Sequence, residues 1–339
     1  MIVDPHSCHD LLVQKTNPKL SFDKRCDYAT WKKQIEDKFF ELVGIEKIKG
    51  NACPLHFEVE HEEQKDGYKQ IRFTIESEIG CIVPVYALIP DAGKEKYPVA
   101  IVLQGHDGGF HNSIGQPKTE AEKEYALGRG NFAVQAVRRG YVAIAIEQRS
   151  FGERSPTKNA RDKGQMCSYE AFAALALGRT IAGERMWDVS KVIDALSNFP
   201  QCDLDKIFIT GQSGGGTASF YAACFDKRIK LSAPSCAFCS YKTSILDIFH
   251  CACNYIPHML EWFEMGDLAA LIAPRKLLAV AGKEDKIFPI TGVRDAFATA
   301  TAIFEKENCA QNCRLVETEK AHFWCVDIVW NEIEKMLSI

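Results

Sequence analysis

The 339-residue chain has no apolar stretch approaching the roughly 20 residues that a membrane-spanning helix needs, which excludes a transmembrane role of that kind. It has no long run of one charge either. Its 41 Lys and Arg residues are mixed with 45 Asp and Glu residues, leaving a formal net charge of -4 and none of the basic footprint of a nucleic-acid binder. Internal repeats, low-complexity tracts and flexible linkers are also missing, so one domain over residues 1–339 is expected in place of a solenoid or a string of modules. Met1 to Lys24 lacks the uninterrupted apolar segment of a signal peptide, being broken by Asp4, Pro5, His6, His9, Asp10 and Pro18. Without an export signal, the 14 cysteines read as reduced thiols of a cytoplasmic protein and not as a disulfide framework.

What is present is a 46% hydrophobic composition, enough to bury a large core. Tyr28 to Val43 has apolar residues at Trp31, Ile35 and Phe39, with Leu42 or Val43 continuing the series, and this spacing predicts a helix with one buried face. Leu55 to Glu60, Ile71 to Ser77 and Ile82 to Ile89 read as antiparallel strands at the leading edge of a sheet, giving residues 1–95 the form of a helix followed by antiparallel strands. From Val99 onward the pattern becomes short buried strands alternating with helices, as in a mostly parallel sheet covered on both faces. The strands are expected at Val99 to Leu103, Tyr141 to Ile146, Ile207 to Thr210, Leu277 to Ala281 and Arg314 to Val316. Helices are expected at Phe132 to Arg139, Ile181 to Asn198, Thr217 to Phe225, Arg294 to Glu307 and from about Trp324. Cys236 to Glu264, rich in aromatics and cysteines, breaks the alternation where an insertion would roof an active site.

Ile207 to Thr210 leads into Gly211-Gln212-Ser213-Gly214-Gly215 and then a helix rich in small residues. Strand, G-x-S-x-G and helix form the context of a nucleophile elbow, and they predict an α/β-hydrolase fold with Ser213 as nucleophile. A serine hydroxyl needs a base, and the base needs a partner that fixes its tautomer. In this fold the acid and then the histidine follow the serine. Asp285, in the turn Gly282 to Pro289 at the end of a strand, is the expected acid, with Glu284 as runner-up. His322 is the one histidine of nine that follows it, and is the expected base. The oxyanion donors are expected to be the backbone N–H groups of Gly214 and of His106 in the turn Gln104-Gly105-His106-Asp107, with the Asp107 N–H as alternative.

With these motifs in hand, the chain from about Trp31 onward resembles the acetyl xylan esterase and cephalosporin C deacetylase group of α/β-hydrolases and related dienelactone-hydrolase-like proteins. The resemblance is carried by the Trp-containing helix, Leu103 to His106, Glu147 to Arg154, Trp187-Asp188, Gly211 to Gly215, Gly282 to Pro289 and Ala321-His322. It implies a serine esterase that deacetylates small O-acetylated carbohydrates through an acyl-enzyme. Gln104 stands where such loops often have His, and Gly214 where the deacetylases commonly have Gln, but both positions keep their backbone donors. Dienelactone hydrolases proper use a cysteine nucleophile, so Ser213 argues against that activity.

Arg149, Glu153 and Arg154 are expected to pair with one another or near Asp188, holding a loop; contact with a polar substrate is the other reading. Cys236, Cys239, His250, Cys251, Cys253 and His258 include the ligand types of a zinc site, but Cys251-x-Cys253 is not the spacing of a common zinc module. Packing of small hydrophobic cysteines is the reading adopted, with no metal and no cofactor. The expected partner is a small ester, with neither nucleic acid nor membrane, and the oligomeric state is left open, a homo-oligomer included. Two other functions compete: a prolyl-oligopeptidase-like serine peptidase, for whose propeller the chain has no room, and a non-catalytic α/β-hydrolase scaffold.

Overall fold

A computed structural model describes residues 4, 6–106, 108–155 and 166–338. Nine strands form one sheet: β1 (His56–Lys65), β2 (Tyr68–Glu78), β3 (Cys81–Pro90), β4 (Tyr97–Leu103), β5 (Val142–Ile146), β6 (Cys202–Gln212), β7 (Ile229–Ser235), β8 (Lys276–Gly282) and β9 (Cys313–Thr318). Their spatial order is β1-β2-β3-β5-β4-β6-β7-β8-β9. β1, β2, β3 and β5 pair antiparallel, whereas the pairs from β5 through β4 to β9 are all parallel. This is the mostly parallel α/β-hydrolase sheet with an antiparallel N-terminal edge.

The reason lies in the two kinds of apolar pattern. In β4, Val99, Ile101 and Leu103 belong to one core layer while Ala100 and Val102 belong to the other; β5 and β8 divide in the same alternating way. Successive residues of a strand point to opposite faces, so a strand apolar at every position must be covered twice. The first layer receives Trp31, Ile35, Phe39 and Val43 of the helix Tyr28–Val43, together with the helices Ile181–Ala195, Gly214–Phe225 and Ile290–Lys306. The second receives the helices Phe132–Arg138 and Val326–Leu337. By contrast, β1 is almost wholly exposed and rich in Glu, a charged edge that discourages pairing with another sheet.

The predicted helix at Tyr28 to Val43 has those bounds in the structure and ends on Gly44, whose φ of 79° is the left-handed stop that glycine adopts without strain. Helices Ile181–Ala195 and Ile290–Lys306 also lie where apolar spacing placed them. Several elements went unread, among them one strand and two longer helices. Strand β7 carries Pro234 and two serines, a composition that argues against a central strand. Helix Ser7–Lys15 buries none of its residues, and helix Met166–Ala176 is apolar nearly all round, so neither shows a one-sided stripe. No helix among the described residues is long and apolar enough to cross a membrane.

Candidate active site

The parallel strands β6, β7, β8 and β9 end side by side, and the groups singled out in the sequence follow those ends. Ser213 comes directly after β6, with φ 55° and ψ -123°, and opens the helix Gly214–Phe225. Such a conformation costs a non-glycine residue roughly 1–3 kcal/mol and persists where surrounding structure over-determines it. Here the Ser213 N–H donates to the Ser235 carbonyl at 2.9 Å, and β6 is paired on both sides. The flanking glycines are required by close approach: a Cβ on Gly211 or Gly215 would fall 2.5 or 2.1 Å from the Leu103 carbonyl oxygen.

Asp285 lies three residues beyond β8 and is 4% exposed, whereas the runner-up Glu284 faces solvent. One Asp285 oxygen accepts the N–H groups of Ile287 and Phe288 at 2.8 and 3.1 Å, and the other accepts Nδ1 of His322 at 2.8 Å. Burial alone would raise this carboxyl's pKa, but the His322 hydrogen bond and charge and the two N–H donors outweigh it, holding Asp285 below the ordinary carboxylate range. His322 is oriented further by the Phe288 ring, stacked at 5.9 Å and 17°. With Nδ1 committed to Asp285, Nε2 is the nitrogen left for chemistry. No hydrogen bond joins Ser213 Oγ to His322 among the described residues; the structure shows a formed acid–histidine pair after β8 and β9 and a strained serine after β6, and catalytic hydrogen bonds often tighten only with substrate.

On the other side of Ser213 lies the loop after β4. Its Gly105 abuts the elbow, where a Cβ would meet the Gln212 carbonyl oxygen at 3.1 Å and Ser213 Cβ at 3.4 Å. The His106 imidazole lies on Gly214, whose Cβ would fall 2.7 Å from ring Cε1 and 2.9 Å from Nδ1. Glycine at 214, a departure from the deacetylases, therefore makes room for the His106 ring. The Gly214 N–H, at the first turn of its helix, has no intrahelical acceptor. The alternative donor, Asp107, lies outside the described residues.

Sequence reasoning missed the group that anchors this loop. Buried Glu147 accepts Gln104 Nε2 and the Phe110 N–H, both at 3.0 Å, and the Glu153 N–H at 3.2 Å, while Gln148 Nε2 donates to the Gln104 carbonyl at 2.6 Å. Burial is the main reason that Glu147 is pushed up to about 7. Gln104, which departs from the expected His, is thus the anchor on the β4 side. Its signal was present in Glu147-Gln148 at the end of a buried strand, but nothing local indicates that the carboxylate turns inward.

Arg149, Glu153 and Arg154 all form ion pairs. Arg149 reaches Glu78 at 2.6 Å, Asp188 at 2.9 Å and Glu184 at 3.1 Å; Arg154 reaches Asp188 at 2.8 Å, and Glu153 holds Arg72 at 2.6 Å. Burial opposes the charge on Asp188, but Arg149 and Arg154 overcome it and hold the carboxyl far below its usual range. The network ties β2 and the loop after β5 to the helix Ile181–Ala195, the loop-holding role expected from sequence.

The cysteine cluster read in the sequence is divided by the fold. Cys236 stands near Asp285 and His322; burial and then the Asp285 charge push its thiol up to about 12, leaving it a protonated bystander. Cys239 faces Thr243 and the Pro289 carbonyl, His250 bonds Ser244 at 3.3 Å, and His258 is exposed beside Glu261. Cys251 and Cys253 converge instead with His106 and Cys167, a second group of ligand-type side chains apart from Cys236, Asp285 and His322. All 14 cysteines are free thiols.

Comparison with known proteins agrees with this architecture. The chain is 27% identical over 245 residues to "Putative hydrolase YtaP" of Bacillus subtilis (strain 168), covering 71% of this chain and 78% of that one. A solved structure described as a "putative acetyl xylan esterase" from Bacteroides fragilis NCTC 9343 superposes with a TM-score of 0.79 at 15% identity, covering 99% of this chain and 96% of the other. An acetyl xylan esterase from Paenibacillus sp. R4 gives 0.62 at 16% identity over 97% and 98% of the two chains. A glucuronoyl esterase from Solibacter usitatus gives 0.66 at 15% identity over 96% and 98%. At these identities the structures speak for the fold, and the sequence itself decides the family: with residues 4–229 matching its model, the chain belongs to the Abhydrolase family.

Proposed function

We propose that this chain is a serine carboxylic ester hydrolase that works through an acyl-enzyme and deacetylates small O-acetylated carbohydrates or similar esters. The observation that carries the reading is the strained Ser213 on the strand-to-helix turn, with the hydrogen-bonded Asp285–His322 pair following neighbouring strands. In this reading His322 Nε2 takes the Ser213 proton as Oγ attacks the acyl carbonyl, and Asp285 stabilises the imidazolium. The N–H groups of Gly214 and His106 hold the oxyanion, assisted by the positive end of the helix Gly214–Phe225. His322 then protonates the leaving alcohol, and water repeats the sequence to release the acid.

The alcohol portion is assigned to a cleft of about 440 Å³ lined in part by Tyr125, Arg129 and Phe323. Tyr125 Oη reaches Gln212, the residue before the nucleophile, at 3.5 Å, and Phe323 follows His322 directly. The Arg129 guanidinium lies 4.1 Å from the Phe323 ring centre, giving the cleft one aromatic and one cationic wall suited to a hydroxyl-rich group. Acetyl xylan and glucuronoyl esterases among the structural neighbours support carbohydrate esters as the first panel to test.

The test is hydrolysis of p-nitrophenyl acetate, butyrate and octanoate, followed by acetylated xylo-oligosaccharides, with Ser213→Ala as control. Acetate-selective turnover that falls about a million-fold in the variant is the expected result. Activity that survives in Ser213→Ala would remove the assignment.

A further inference from the structure

We propose that His106, Cys167, Cys251 and Cys253 form a structural zinc site, which the spacing of the cysteines along the chain does not disclose. The four residues come from three separate places: the loop after β4, the helix Met166–Ala176, and the turn at Ala252–Asn254. Their donor atoms all lie within 4.8 Å of one another. Cys253 Sγ is 3.4 Å from His106 Nε2 and 3.4 Å from Cys251 Sγ, and Cys167 Sγ is 3.7 Å from the same imidazole nitrogen. A tetrahedral zinc ion with Zn–S of about 2.3 Å and Zn–N of about 2.0–2.1 Å separates its donors by roughly 3.5 Å for S and N and roughly 3.8 Å for two sulfurs. The spacing therefore fits one ion bound at the centre of the group. Three thiolates and one imidazole are also the ligand types that favour zinc over hard, oxygen-seeking cations.

Two further observations point to the same occupant. Arg185, on the helix Ile181–Ala195, is 4% exposed, and among the described residues it has no carboxylate partner and no acceptor for Nε. It instead directs one nitrogen at Cys167 Sγ, 3.6 Å away, and the same nitrogen at the Arg149 carbonyl, 2.8 Å away, with its guanidinium over the Phe151 ring. A buried guanidinium needs a negative counterpart. Zinc with three thiolates and a neutral imidazole carries a net charge of -1, so Arg185 balances it; three thiol protons leave as the metal binds, and no redox change is required. The second observation is Gly214: the absence of a side chain there lets the His106 ring lie on the elbow with Nε2 turned to the sulfurs.

With four protein ligands the coordination shell is closed, which assigns the ion a structural role and leaves no position for a reactive water. It would clip the segment that follows β7 and the helix Met166–Ala176 to the loop that presents the His106 N–H. His106 is thus a positioning residue through its side chain; this consequence alone rests on the oxyanion assignment made above, and the site itself does not.

The experiment uses the full chain, expressed in zinc-supplemented medium and purified under reducing conditions without chelator. Metal analysis is expected to give close to one zinc per chain, and zinc X-ray absorption to show three sulfurs at about 2.3 Å and one nitrogen at about 2.0–2.1 Å. Cys251→Ser/Cys253→Ser should lose the metal while Cys8→Ser keeps it. Because the double variant can also lose the metal by misfolding, chelator-stripped, reduced wild-type protein is titrated with zinc alone and should regain one equivalent with a rise in Tm. Failure of wild type to hold or regain zinc, or a shell of oxygen and nitrogen only, would overturn the site. Ester hydrolysis measured on the stripped and refilled samples separates the consequence: kcat should fall about tenfold on stripping and return on refilling. An unchanged kcat would overturn the positioning role, while a wild type inactive in both forms but zinc-loaded would refute the esterase reading and uphold the site.

Discussion

Two histidines, His106 after β4 and His322 after β9, are held in opposite ways. His322 is oriented by a carboxylate whose second oxygen is already occupied by two backbone donors, so its site is complete from polar groups of the protein alone. His106 is surrounded by three thiols and lies near the buried Arg185, which has no carboxylate partner among the described residues. The first arrangement carries the proposed role of His322 in proton transfer; the second carries the proposed cation shared by four donors. In the two proposals the same side-chain type serves as a base in one place and an anchor in the other because of the charge of what surrounds it.

The largest effect should come from breaking the first side. Ser213→Ala removes the proposed nucleophile, with the loss stated above, and Asp285→Asn should lower kcat by about ten-thousand-fold by presenting the wrong His322 tautomer, with little change in Tm. Steady-state kinetics and thermal melts of the same samples check both. A change at the boundary between the two sides comes next. Gly214→Ala places a methyl group 2.7 Å from the His106 ring and should cost roughly 100-fold in kcat, since one oxyanion donor is displaced. Retention of full activity would show that the ring does not need to lie there.

The smallest effect concerns the loop that carries His106. Glu147 has a folded-state pKa raised from 4.5 to about 7 by burial, so its contribution to stability is full below about pH 4.5 and is lost as pH rises through 7. The free energy of unfolding from urea titration should accordingly fall between pH 5 and pH 8, by no more than about 3 kcal/mol from this group, and Glu147→Gln should flatten that dependence. A slope unchanged in the variant would assign it to other groups.

Much of this was legible in the sequence where a local rule and a global one coincide. Trp31, Ile35, Phe39 and Val43 repeat at helical spacing because one face is buried, and Val99 to Leu103 is continuously apolar because both faces are. Strand β7 was illegible because Pro234, paired with Gly211 inside the sheet, contradicts the local rule that the surrounding strands override. The ion network of Arg149 was legible as charge beside Asp188, but Glu78 and Arg179 are brought to it from distant segments.

The sequence by itself determined the alternation of the buried strands and their covering helices apart from β7, the strained serine turn, and the order of Ser213, Asp285 and His322 along the chain, because each is written in neighbouring residues or in succession. Only the tertiary structure decided that Asp285 and not Glu284 faces His322, that Glu147 turns inward to hold Gln104, and that Cys251 and Cys253 leave Cys236 and Cys239 to join His106 and Cys167. Those outcomes depend on which strand ends and loops meet in space. Residues 37 to 147 positions apart leave no shared period or spacing in the chain, and their convergence is set by the packing of the sheet and its helices.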